Sequence, residues 1–211
     1  MTEQRDILVA QISRGLSPAI SISATIAACT QRGLNYKLIV GKPAPEAKNE
    51  AAQAAWESNR DLILCEDDFL AESKVWDAAT ADTDQVLVGS ALMRNGEINV
   101  WFLGERLVYS GTVFVKIPWT ALDAIGDPWF SPRDLNFNGQ DGGEWRDDGP
   151  NADGFHSDTW FYYRCWTEGI EPKVCGFVTH LIHPGNNALR QLNQPDQIKP
   201  LGLMNCTKIV S

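Results

Sequence analysis

A run of three acidic residues directly follows the short apolar run Leu62–Cys65, and its members are Glu66, Asp67 and Asp68. Adjacent carboxylates repel one another, so something must compensate their charge. A hard divalent cation, Mg²⁺ or Mn²⁺, does this because it binds carboxylate oxygens and keeps coordination positions open for substrate phosphates. The alternative is a solvated acidic turn, or carboxylates at a helix N-terminus favoured by the helix dipole. Because a buried strand is predicted immediately before the cluster, we favour the cation site.

The elements that must position this cluster alternate between strands and helices over the first 90 residues. Hydrophobic periodicity predicts the order β-α-β-α-β-α-β, with strands at Ile7–Ile12, Tyr36–Val40, Leu62–Cys65 and Gln85–Gly89. This alternation predicts a Rossmann-like sheet, mostly parallel, with helices on both faces. Such sheets bind ligands beyond the carboxyl ends of their strands, where the strand order switches. The acidic run lies at one of these ends.

The second half of the chain has a different pattern. Residues 131–151 are rich in Gly, Asp, Asn and Pro without apolar periodicity, which predicts a long loop. The remaining elements are antiparallel strands at Ile98–Leu103 and Leu107–Tyr109, a strand at Gly111–Ile117, a short helix from Thr120 to Gly126, a helix from Ser157 to Glu168 and a last strand at Lys173–Thr179.

Composition argues against several classes of protein, although it does not exclude a local basic groove. The 211 residues carry 18 basic and 27 acidic side chains, a net charge of −9, which does not indicate a surface for nucleic acid or anionic membranes. The five cysteines include no C-x-x-C pair, so neither a zinc ribbon nor a redox pair is expected. The N-terminus does not resemble a signal peptide and no long apolar run suggests a membrane span, so we expect a cytoplasmic protein.

Four segments occur in a recognisable order: Ile7–Gly15, Lys48-Asn49 with Asp61–Asp68, Gly111–Ile117 with Pro128-Trp129-Phe130, and Ser157–Phe161 with Gly169 and His183-Pro-Gly185. In this order they resemble motifs of glycosyltransferases of the GT-A fold, particularly small family-2-like members. Together they span residues 6 to 185, nearly the whole predicted domain. The chain departs from the family pattern at Lys48, where Arg is usual, at Glu66, where Asp is commoner, and at Ser157, where an acidic residue is usual.

The resemblance implies a Rossmann-like GT-A fold, an α/β architecture with a mostly parallel central sheet and an antiparallel extension on the acceptor side. It implies one domain over residues 1–185. Residues 1–95 would be its nucleotide-sugar-binding half and residues 96–185 its acceptor half, and residues 186–211 would form a C-terminal tail or lid.

The resemblance also implies a metal-assisted donor site. A bound divalent ion would neutralise the charge that develops on the departing diphosphate. Asp68 would be the direct metal ligand and His183 a further one, with His180 as the fallback. The residues expected to contact the donor are Ser13, Arg14, Lys48, Asn49, Glu66, Asp67 and Arg190. Single basic residues such as Arg14 and Lys48 are also often simply solvated.

On the acceptor side, the resemblance implies that Asp158 is the general base of an inverting displacement. A first-turn carboxylate favoured by the helix dipole is the alternative, and in a retaining enzyme Asp158 would instead orient sugar hydroxyls. Trp129 and Trp160 are expected to stack on sugar. His156 is either a surface residue or an acceptor contact.

The predicted function is therefore that of a metal-dependent glycosyltransferase, a hexosyl- or pentosyltransferase using Mn²⁺ or Mg²⁺ and a nucleotide sugar, with UDP as the expected nucleotide. Its hydroxyl acceptor could be a saccharide, a protein or a hydroxymethylated DNA base. One alternative is a sugar-nucleotidyltransferase, although the expected Gly-rich loop is missing after the first strand. The other is a non-catalytic module that binds nucleotide or sugar.

Overall fold

The described part of the chain comprises residues 6–13, 19–81, 83–91, 98–138, 143–150 and 157–181 of a computed structural model. It contains five helices: α1 Ala19–Arg32, α2 Ala44–Glu57, α3 Ser73–Thr80, α4 Trp119–Ile125 and α5 Ser157–Thr167. The strands are β1 Ile7–Ser13, β2 Asn35–Val40, β3 Asp61–Glu66, β4 Phe69–Ala71, β5 Leu87–Ala91, β6 Val100–Leu103, β7 Arg106–Ser110, β8 Phe114–Ile117, β9 Arg133–Asn138, β10 Glu144–Pro150 and β11 Lys173–His180. None of the helices in these ranges combines the length and the apolar composition needed to cross a membrane.

Strands β1 and β3 are buried on both faces, which explains why apolar residues run almost without interruption through each of them. Alternate residues of β1 point to opposite sides of the sheet. Leu8 and Ala10 belong to a core that includes α2, α4 and α5, whereas Ile7 and Val9 belong to a second core that includes α1 and α3. The sheet is therefore covered by helices on both faces, as the sequence predicts.

Seven strands form one mixed, strongly curled sheet in the order β2-β1-β3-β8-β5-β11-β4. Three of its pairings are parallel: β1 with β2, β1 with β3, and β5 with β11. Three are antiparallel: β3 with β8, β5 with β8, and β11 with β4. The prediction of a mostly parallel sheet is therefore wrong. The reason is that β8 is inserted between β3 and β5, instead of extending the sheet at its edge.

The hairpin of β6 and β7 confirms the antiparallel pair that the sequence predicts for the second half. Two other elements were not predicted. The three-residue strand β4 follows the acidic run at once and pairs with β11. The predicted loop over 131–151 contains the hairpin of β9 and β10, whose Phe137 and Trp145 rings stack edge to face, 5.2 Å between centroids.

The two predicted halves of the domain share this single sheet. Strand β8, from the second half, lies between β3 and β5, both from the first half. Residues 186–211, the predicted tail, lie outside the described part of the chain.

Candidate functional site

A pocket opens at the carboxyl ends of β1 and β3. It is lined by Ile12, Ala44, Glu66, Asp67 and Asp68. The chain passes from β1 through α1 to β2 on one side of β1, and then through α2 to β3 on the other side. This reversal of strand order is where open α/β sheets place their ligands. The acidic run therefore lies where the sequence predicts, at a switch point and beside a pocket.

Beneath this pocket, the buried ammonium group of Lys48 joins two parts of the predicted site. Lys48 is only 2 % exposed. Its Nζ lies 3.2 Å from Glu66 Oε1, in the acidic run, and 2.5 Å from Asp158 Oδ1, at the start of α5. It also donates to Thr112 Oγ1 at 2.6 Å. The three donors of an ammonium thus meet three acceptors, and Glu66 is held to Asp158 through one cation.

The carboxylate of Asp158 is held by several donors. Oδ1 accepts from Lys48 at 2.5 Å and from the Thr112 hydroxyl at 2.5 Å, and Oδ2 accepts from the Thr112 backbone N–H at 3.2 Å. Burial alone would raise the pKa of Asp158, but Lys48 and Thr112 outweigh it and the pKa lies below its ordinary value. A base with a lowered pKa accepts protons less readily. These hydrogen bonds hold the Asp158 carboxylate in one position, and its role as the general base stays a prediction.

The other two members of this group respond to the same charges. Burial lowers the pKa of Lys48, but the carboxylates of Asp158 and Glu66 outweigh it, so its pKa lies above the ordinary value. Burial raises the pKa of Glu66, and Lys48 only partly opposes this rise. Lys48 is therefore firmly charged.

The end of β11 runs beside the acidic run. His180 pairs with Phe69 in β4, and the backbone N–H of Leu181 donates to the Asp68 carbonyl at 2.5 Å. The fold thus brings the start of the H-L-I-H segment to the predicted metal ligand, although more than a hundred residues of chain separate them. His183 itself lies outside the described residues. Within those residues, no three His, Cys, Asp or Glu side chains form a group that could hold a metal ion.

Two predicted donor contacts lie within the fold near this pocket. Ser13 is buried, and its carbonyl accepts from the Gly41 backbone N–H at 3.1 Å. The Asn49 amide donates to the Phe130 carbonyl at 2.6 Å and accepts from the Phe130 N–H at 2.9 Å. Asn49 therefore ties α2 to the segment before β9. The predicted contacts Arg14, His156 and Arg190 lie outside the described residues.

The two tryptophans expected to stack on sugar differ in their surroundings. Trp129 is 2 % exposed and donates its indole N–H to the Leu122 carbonyl at 2.7 Å, so it is a core residue with no ring face open to a sugar. This corrects its assignment as a stacking platform. Trp160 is half-buried, donates to the Pro128 carbonyl at 2.7 Å, and lies against Tyr163. Its predicted role is untested.

Sequence reasoning named Lys48 but missed its place in the fold. Residues one turn apart on α2 share a face, and Ala51, Ala52 and Ala55 of that face are fully buried. Lys48 precedes these positions by three, four and seven residues, which is the spacing of a buried helical stripe. A lysine in such a stripe indicates a buried cation that needs an anionic partner. The sequence around Thr112 gives no indication that its hydroxyl contacts Lys48.

A further buried polar residue, Gln11, was also missed. It lies in β1, is not exposed, and accepts a hydrogen bond from the Tyr36 hydroxyl at 2.8 Å. Burial raises the pKa of Tyr36 from 10.0 to about 12. The folded protein therefore holds this phenol proton to a higher pH than the unfolded chain does.

This difference predicts a loss of stability in alkali. Above pH 10 the unfolded chain releases the Tyr36 proton while the fold retains it, so stability falls as the pH rises from about 10 to about 12. The Tyr36→Phe variant should show a shallower fall over this range, measured by urea unfolding at several pH values. Parallel curves for the two proteins would contradict the raised pKa of Tyr36.

No model of a known protein family matches the chain, and no curated protein matches it at a significant level.

Proposed function

We propose that the protein is a metal-dependent glycosyltransferase that moves a sugar from a nucleotide-sugar donor, a UDP-sugar, to a hydroxyl acceptor. The observation that carries this proposal is the pocket at the switch point between β1 and β3, lined by three consecutive carboxylic residues. A diphosphate cannot enter an acidic pocket alone, because like charges repel. A divalent cation between the two makes a nucleotide diphosphate the fitting ligand.

The donor set suits such a cation. Mg²⁺ and Mn²⁺ are commonly held by one or two carboxylates together with substrate phosphates, without a complete protein cage. Asp68 would supply one ligand, and Glu66, which also lines the pocket, would accept hydrogen bonds from the donor or from metal-bound water. When bound, the ion would act as a Lewis acid that stabilises the leaving diphosphate.

The course of β11 supports a histidine ligand from far along the chain. Leu181 is hydrogen-bonded to the Asp68 backbone. His183, two residues further along the sequence and outside the described part of the chain, stays the first candidate. His180 precedes Leu181 by one residue and is the second candidate.

The role of Lys48 in this proposal is to prepare the site. It neutralises one of the carboxylates beside the pocket and connects the acidic run to Asp158 on α5. The donor side and the acceptor side would therefore be held at a fixed spacing. Pre-organised groups of this kind lower the cost of reaching the transition state.

Thermal unfolding with UDP and Mn²⁺ tests the proposal. At a ligand concentration about a hundredfold above Kd, the wild-type melting temperature should rise by roughly 5–10 °C, and EDTA should abolish the rise. Asp68→Asn should remove the shift because it removes the charge that holds the cation. The matched control is Glu57→Gln, an exposed carboxyl at the far end of α2, about 20 Å from Ala44.

Release of UDP from a panel of nucleotide sugars then separates the remaining alternatives. Metal-dependent release in the wild type and its loss in Asp68→Asn support the transferase. Binding without turnover would instead favour a non-catalytic nucleotide-binding module. The absence of any metal-dependent shift in the wild type would overturn the proposal.

A further inference from the structure

Both ends of the acidic turn are tied to the core by a chain of buried hydrogen bonds. The turn runs from Glu66, the last residue of β3, to Phe69, the first residue of β4. Gln11 Nε2 lies 3.4 Å from the Glu66 carbonyl and donates to Ser21 Oγ at 3.1 Å. The Ser21 hydroxyl in turn donates to the Phe69 carbonyl at 2.8 Å. The side chains of Gln11 and Ser21 thus bind the backbone carbonyls of the two residues that flank Asp67 and Asp68.

The direction of this chain of donors is fixed. The Tyr36 hydroxyl donates to Gln11 Oε1 at 2.8 Å, which leaves the Gln11 amide hydrogens for Ser21 and Glu66. Because Ser21 accepts from Gln11, its own hydroxyl hydrogen is directed to the Phe69 carbonyl. Gln11 and Ser21 are both fully buried, so no water competes for these bonds.

On the opposite side of the turn, the Lys48 ammonium lies 3.2 Å from Glu66 Oε1, and two backbone hydrogen bonds also hold the turn. The Glu66 N–H donates to the Val113 carbonyl at 3.0 Å, and the Leu181 N–H donates to the Asp68 carbonyl. The side-chain bonds from Gln11 and Ser21 are therefore the contacts that α1 and the interior of β1 contribute to the shape of the turn. They lie on the face of the sheet opposite to Lys48, since Lys48 belongs to α2.

We infer that Gln11 and Ser21 are positioning residues that fix the acidic turn in the conformation that binds a divalent cation and the diphosphate of a nucleotide. This inference rests on the cation site of the proposed function. Both residues are fully buried and neither lines the pocket, so they would act through the turn and not by direct contact with the ligand. Partners that orient metal ligands from behind commonly contribute ten- to a hundredfold to metal affinity.

The test combines two measurements on Ser21→Ala and Gln11→Met. The first is hydrogen exchange of the backbone amides of residues 66–71, which should become faster in both variants. The second is the Kd for Mn²⁺ with UDP, measured by calorimetry, which should weaken by about tenfold. Tyr36→Phe keeps the Gln11 amide in place and should produce a smaller change in the same direction, which gives a variant that folds even if the other two do not.

The matched control is Ile125→Val, a buried truncation in α4 on the other face of the sheet. It should lower the melting temperature by a similar amount while leaving the Kd and the exchange at residues 66–71 unchanged. That result would show that loss of stability alone does not weaken binding.

The remaining outcomes are distinct. Unchanged exchange at residues 66–71 in the variants would overturn the inference, and so would faster exchange with an unchanged Kd. A wild-type protein that binds no Mn²⁺ with UDP would overturn the proposed function and, with it, the cation-positioning role. Wild-type binding with equal binding by Ser21→Ala would overturn the positioning role alone.

Discussion

Replacing Lys48 with methionine should lower the free energy of unfolding by about 3–5 kcal/mol, because it leaves two carboxylates next to each other without their cation. Lys48 is almost fully buried and contacts both Glu66 and Asp158. Methionine has a similar length, so the cavity it leaves is small and the loss is mainly electrostatic. Urea unfolding monitored by circular dichroism measures it as a lower midpoint with an unchanged slope.

Lys42 provides a matched control for this variant. Its Nζ lies 2.5 Å from Glu50 Oε2, the same distance as Lys48 from Asp158, but its side chain is 50 % exposed. Solvent screens such a pair, so Lys42→Met should leave the midpoint almost unchanged. Equal losses in the two variants would show that burial does not strengthen the Lys48 contacts.

A combined variant separates charge from packing. Adding Glu66→Gln and Asp158→Asn to Lys48→Met removes the uncompensated carboxylates, so much of the lost stability should return. If the triple variant is no more stable than Lys48→Met, the loss comes from packing and not from charge.

The second large effect is expected at Trp129, whose truncation to alanine should cost about 3–5 kcal/mol. The ring belongs to the core that includes α4, and its N–H donates to the Leu122 carbonyl. Truncation removes apolar contacts, leaves a cavity and removes the indole hydrogen bond, although the Leu122 carbonyl still accepts from the Gly126 N–H at 3.0 Å. Thermal and urea unfolding both measure the loss.

Trp101 is the matching exposed tryptophan for this test. Its side chain is 54 % exposed on β6. Trp101→Ala should therefore change stability much less than Trp129→Ala. A Trp129→Ala protein of wild-type stability would contradict the assignment of Trp129 to the core and would reopen its role as a sugar-stacking residue.

Local patterns predicted the elements of this fold better than their partners. The periodicity of the first 90 residues located α1, α2, α3 and the strands β1, β2, β3 and β5, because the hydrophobic repeat of each element is contained within a short stretch of sequence. The pairing of β8 with β3 and β5 is not visible in such a repeat. Whether two strands are parallel or antiparallel depends on the path of the segments that connect them. The sequences of residues 92–97 and 118–132 do not indicate that path.

The site shows the same division. The acidic run could be predicted because its residues are adjacent and follow a buried strand. The ion pair of Lys48 with Asp158 could not be predicted, because the partners are 110 residues apart. Trp129 was misassigned since an aromatic residue beside a proline gives no sign of its burial. The Gln11 contacts were missed because a single glutamine within an apolar strand gives no indication of its partners.

The insertion of β8 has a consequence for synthesis of the protein on the ribosome. Strand β5 is complete when residue 91 has been made, yet both of its neighbours, β8 and β11, come from later in the chain. Strand β4 likewise waits for β11, the last strand of the sheet. A nascent chain ending near residue 95 can therefore pair only β2, β1 and β3, while its strands β4 and β5 still lack their partner strands. The acidic turn acquires its β11 neighbour only after residue 180 has left the exit tunnel.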